Sequence, residues 1–207
     1  MDAAQVQVLR ELLASTEWVE RTRSFARSLQ AVPAPGRLLL VGTPQVEPWH
    51  LAAHLDDEAR FSGRAGLSPT LVRWSPPAGA PPHLSIGLER LEAAARSETL
   101  FVVAPQVAPE SLLERVADAR RVGATVLSID EGDPEFADLA HERLIVPHLV
   151  APGGADGWTN LVGAGTVDID SVQHLVSAAA GENLQQSSMR DRLARLLDRM
   201  SGPPPQR

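Results

Sequence analysis

The run Leu38-Leu39-Leu40-Val41 constrains this chain most. It stands between Pro35-Gly36 and Gly42, with no polar residue inside it. A strand with one face in water alternates apolar and polar side chains. An unbroken apolar run of this length is instead covered on both faces, as inside a parallel sheet. Past Gly42 the chain turns into Trp49-His50-Leu51-Ala52-Ala53-His54-Leu55, where apolar residues recur at helical spacing. Open parallel sheets hold ligands beyond the carboxyl ends of their strands, so residues 42–54 are the first place to look for a site.

The remaining elements follow the same rhythm. Thr99-Leu100-Phe101-Val102-Val103 and Thr125-Val126-Leu127-Ser128-Ile129 read as further buried strands; Leu71-Val72-Arg73-Trp74 and Arg143-Leu144-Ile145-Val146-Pro147 are shorter candidates. Helices are expected over 4–30, 46–60 and 134–140, and along the stripe Leu84, Leu88, Leu91 and Ala95. Another carries Leu112, Leu113, Val116 and Ala119, with Pro109 as its first helical residue and Gly123 as its C-cap. Asp168 is placed to cap a helix bearing Ile169, Val172, Leu175 and Val176, after a loop over 151–165 with five glycines. A last helix starts at Ser187 or Ser188 with Met189, Leu193, Leu196, Leu197 and Met200 on its apolar side. Strands alternating with helices at this pitch indicate right-handed crossovers. The fold class is α/β: a three-layer, doubly wound parallel sheet of about five strands flanked by helices, with a long N-terminal helix and C-terminal helices. The expected division is an α/β domain over 1–182, a helix over 183–201 and a disordered tail over 202–207.

Composition removes several chemistries. The chain has 207 residues, no cysteine, and 19 basic residues, all of them arginine. Disulfides, thiolate nucleophiles, Schiff bases and a P-loop lysine are therefore absent. A formal charge of −7 argues against a nucleic-acid or anionic-membrane surface, and no apolar run approaches the roughly 18 residues of a membrane span. The expected setting is cytoplasmic. No cofactor or metal is called for.

The order of elements resembles the SIS (sugar isomerase) domain family, in particular its phosphoheptose-isomerase-like branch. The likeness lies in the N-terminal helix, the strand ending at Gly42, and the helix opening Trp49-His50-Leu51-Ala52-Ala53-His54-Leu55. It continues in Ala119-Arg120-Arg121-Val122-Gly123-Ala124, in Phe136-Ala137-Asp138-Leu139-Ala140, and in a late helix containing His174. The resemblance implies a sugar-derived or anionic ligand and an oligomer, dimer or tetramer. It also implies a site built from Gly42, Thr43, Gln45, His50, Gln106 and Ser111, with His54 and His174 at the family's acid/base positions. Where sugar-phosphate-binding members have hydroxyl-rich turns, this chain has Gly42-Thr43-Pro44-Gln45-Val46-Glu47-Pro48 and Ala104-Pro105-Gln106-Val107-Ala108-Pro109. Proline lacks an amide donor, and Glu47 sets a negative charge where an anion would sit. The phosphate loops thus read as degenerate.

Three functions are compatible with these residues. A non-catalytic protein binding a small sugar-derived or anionic metabolite, or a partner protein, fits the altered loops. A sugar-phosphate isomerase would use His54 and His174. A metal-dependent hydrolase would use His50 and His54, one helical turn apart, with Asp57 or Glu58. Asp130-Glu131-Gly132-Asp133, at another strand's end, reads either as a divalent-cation turn or as a solvated, helix-capping one.

Overall fold

The computed structural model describes residues 17–146 and 169–181. The helix expected over 183–201, the tail, and the beginning of the N-terminal helix lie outside these residues. So does the loop that precedes the late helix.

Five parallel strands form one sheet: β1 (Leu38–Val41), β2 (Thr70–Val72), β3 (Thr99–Ala104), β4 (Thr125–Asp130) and β5 (Glu142–Ile145), in the order β2-β1-β3-β4-β5. The strand order reverses between β1 and β3, which pair with Leu40 opposite Phe101 and Val41 opposite Val102. At such a switch point, connections leave toward opposite faces and open a crevice.

All four side chains of β1 are fully buried, each contributing roughly 1.5–3 kcal/mol of hydrophobic stabilisation. Strand periodicity divides them. Leu38 and Leu40 join a core with Phe101, Val103, Leu127 and Ile129, under the helices α1 (Glu17–Gln30), α2 (Trp49–Ser62) and α6 (Ile169–Gly181). Leu39 and Val41 join Leu100, Val102, Val126 and Phe136 on the other side, under α4 (Glu110–Arg121) and α5 (Glu135–Leu139). The sheet is the middle of three layers.

Local chemistry sets the boundaries. Helix α4 starts at Glu110, with Pro109 as its N-cap in extended geometry rather than its first helical residue. It ends at Arg121, and Gly123 follows at φ +96°, a backbone that side chains bearing Cβ rarely adopt. The stripe from Leu84 to Ala95 does not make a full helix. Only a 3-10 turn at Pro82–Leu84 and a single turn, α3 (Glu89–Glu92), are present. Pro81 and Pro82 hold the first part near its start, and Gly87 interrupts the middle. Ile86 and Leu88 pack on the second core from the connecting loop instead.

Candidate functional site

The turn between β1 and α2 closes on itself. Thr43 N–H donates to Val46 O at 3.1 Å, and Val46 N–H returns a bond to Thr43 O at 3.2 Å. Gly42 is required here: a Cβ on it would lie 2.0 Å from the Val46 carbonyl oxygen and 2.7 Å from Pro48 Cδ. Thr43 is carried under the turn. It is fully buried, and its Oγ1 finds no hydrogen-bond partner among the described residues.

Glu47 does not project as a bare charge. Arg73, just after β2, donates to its Oε2 through Nε at 3.1 Å and Nη2 at 3.0 Å, while Trp74 N–H donates to Oε1 at 3.1 Å. Trp74 Nε1–H then bonds to Gly42 O at 2.8 Å. On another side, the Arg73 guanidinium lies 4.3 Å from the centre of the Trp49 ring. Trp49, the first residue of α2, remains 37% exposed.

The β1–α2 turn and the start of α2 form one wall of a cleft of about 520 Å³. The turn supplies Pro44, Gln45, Val46, Glu47 and Pro48, α2 supplies Trp49 and His50, and α6 supplies Asp170 and Gln173. Gln173 Nε2 donates to Asp170 Oδ1 at 3.0 Å, so the far wall presents an amide and a carboxylate side by side.

Of the residues anticipated from sequence, Gln45 and His50 line this cleft. Gly42 and Thr43 sit behind its wall. Gln106 and Ser111 are exposed, in the turn after β3 and the first turn of α4, and neither lines it. The β3 turn is anchored elsewhere, by Ala108 N–H donating to Asp133 Oδ2 at 2.8 Å. The crevice is therefore completed by α6, not by the β3 turn.

His54 and His174 meet, one turn further along α2 and α6 from His50 and Asp170. Their rings contact edge to face with centroids 4.4 Å apart, within one chain. Burial pulls the His54 pKa below the usual 6.5; Asp57 opposes this and His50 adds to it. Neither imidazole is among the residues lining the cleft.

The acidic turn after β4 is structural. Asp130 is fully buried and accepts from Arg143 Nε at 2.8 Å, from Ser128 Oγ at 3.0 Å, and from the amides of Gly132 and Asp133. The hydrogen bond to Asp130 raises the Arg143 pKa against the effect of burial. Among the described residues, no group of three His, Asp or Glu side chains is arranged to hold a metal. None of the helices described is long and apolar enough to cross a membrane.

Trp49, Asp170 and Gln173 are site residues that sequence reasoning missed. An aromatic residue opening the first helix after a strand was the available signal for Trp49. The α6 pair had none, because only tertiary packing brings it to α2.

No family model and no curated protein matches the chain. Solved structures do. A protein of Salmonella typhimurium LT2 described as sugar binding aligns with TM-score 0.54 and 19% identity, over 94% of this chain and 51% of its own. The present chain thus spans about half of that protein's length. The sugar isomerase domain of an RpiR transcription factor from Sphaerobacter thermophilus aligns with TM-score 0.49 and 13% identity, covering 94% of both chains. The Vibrio vulnificus NanR protein, complexed with ManNAc-6P, aligns with TM-score 0.47 and 10% identity, over 95% of this chain and 67% of its own. At such identities a likeness speaks to fold alone. With its strand order and three layers, the chain has an SIS-like fold.

Proposed function

We propose that this chain is a non-catalytic, SIS-like binding domain that takes a small sugar-derived ligand in the cleft between the β1 turn and α6. The observation that carries the reading is the lining itself. The Trp49 ring offers an apolar platform for the C–H face of a sugar, while Gln45, His50, Asp170 and Gln173 offer donors and acceptors for its hydroxyls. The cleft opens beyond the carboxyl end of β1, one of the two strands at the switch point, and sheets of this type bind ligands beyond such strand ends. The Salmonella protein described as sugar binding has the same fold.

A thermal-shift screen of hexoses, amino sugars, hexose phosphates and nucleotides tests this, because a ligand that binds only the native state raises its stability. At least one sugar raises Tm for the wild-type chain, and Trp49→Ala abolishes the rise while remaining folded. Failure of every sugar to move Tm contradicts the proposal.

One observation favours a second reading. His54 and His174 touch, as an isomerase's acid/base pair in the same chain would have to lie near one another. Against it, they contact each other rather than the cleft. Turnover of a sugar phosphate that is lost in His54→Ala and His174→Ala would establish that reading over the first. The apolar spacing of Met189, Leu193, Leu196, Leu197 and Met200 in the sequence supports a further element of the proposal, self-association to a dimer or tetramer. Light scattering checks it.

A further inference from the structure

Three donors converge on one carboxylate at the rim of the cleft. The Arg73 fork and the Trp74 amide all point at Glu47, and the side chains of Arg73 and Glu47 are only 14% and 16% exposed. A guanidinium backed by an aromatic ring and joined by a backbone amide is a donor set suited to phosphate or carboxylate. Here the anion belongs to the chain. Among the described residues the cleft lining holds no arginine: its remaining charged or titratable groups are Asp170 and His50.

We infer that Glu47 fills an anion seat from within, so that the cleft refuses phosphorylated sugars and takes sugars without a phosphoryl or carboxylate group. The inference rests on the cleft being the ligand site. An incoming phosphate has to evict a tethered carboxylate whose local concentration is high. Eviction also leaves a largely buried Glu47 without its donors, next to a second negative charge. An uncharged sugar meets neither obstacle. It uses Trp49 and the amides and leaves the Glu47–Arg73 pair intact.

The test titrates the full chain with glucose, glucose 6-phosphate and inorganic phosphate, following Tm and calorimetric heat. Wild-type protein ignores inorganic phosphate and binds glucose 6-phosphate no better than glucose. Glu47→Ala gains affinity for inorganic phosphate by about tenfold or more, and Glu47→Ala with Arg73→Met loses the gain. Glu47→Gln preserves the shape of the turn and carries the test if the alanine variant does not fold; it gains in the same direction. A Glu47–Arg73 pair that merely staples β2 to the turn would give folded variants with no gain, which overturns the inference. Wild-type binding of glucose 6-phosphate well above glucose also overturns it. A phosphate gain in Glu47→Ala while wild type ignores glucose supports the self-filled seat and removes the sugar-binding reading instead.

Discussion

The turn after β4 and the turn after β1 leave the same edge of the same sheet, and each pairs a carboxylate with an arginine, but they resolve their polar groups differently. After β4, the Arg143 fork, one hydroxyl and two backbone amides surround a fully buried Asp130. After β1, the carboxylate stands at the rim of a cleft, and a buried hydroxyl, Thr43 Oγ1, has no partner among the described residues. A saturated buried carboxylate holds the loop that carries it and has no capacity left for a ligand. A turn that closes over an unsatisfied hydroxyl and presents an aromatic ring to solvent gives up stability locally, as binding sites often do.

The sharpest way to break this contrast is to strip the β4 turn of its cation. Arg143→Met leaves Asp130 charged, buried and unmatched, and about 3–5 kcal/mol of stability is lost in denaturant unfolding. A loss below about 1 kcal/mol would mean that the β4 turn is not the scaffold described. Gly42→Ala comes next. Its Cβ has to displace the Val46 carbonyl, a backbone atom, so a loss of about 2 kcal/mol is expected, together with any ligand response of the cleft. Thr43→Val works in the opposite direction. It removes a buried hydroxyl that makes no bond among the described residues and retains its shape, so stability rises by about 1 kcal/mol. A loss would reveal a partner for Oγ1.

The smallest effect is in pH dependence. The folded His54 pKa lies below 6.5, so the unfolded chain binds more protons between the two values. Stability therefore falls as pH drops from about 6.5 and levels off below the folded pKa. His50 and Asp57 on α2 are the charged or titratable neighbours that modulate this, and His174 on α6 packs against the ring. His54→Gln flattens that part of a Tm-against-pH curve; an unchanged curve would assign the acid limb to other groups.

The fold was legible because its strands are short runs buried on both faces, a pattern with few other homes. The helical stripe from Leu84 to Ala95 misled for a physical reason: apolar spacing alone does not overcome Pro81, Pro82 and Gly87, and loops also bury leucines. The site was legible only as far as local sequence reaches. Gln45 and His50 follow β1 directly and were anticipated. The Glu47–Arg73 pair spans 26 residues, and Asp170 and Gln173 reach the cleft by packing of α6 on α2, which no local pattern encodes. From sequence alone Glu47 is a bare charge at the helix mouth; in the fold Arg73 and the Trp74 amide hold it.

Hydrogen exchange with and without glucose tests the central claim most directly. Glucose is expected to slow exchange over 44–50 and 170–173 together, the two walls of the cleft, and to leave the β3 turn at 105–111 unchanged. Protection confined to 105–111, or protection by glucose 6-phosphate alone, would contradict this account.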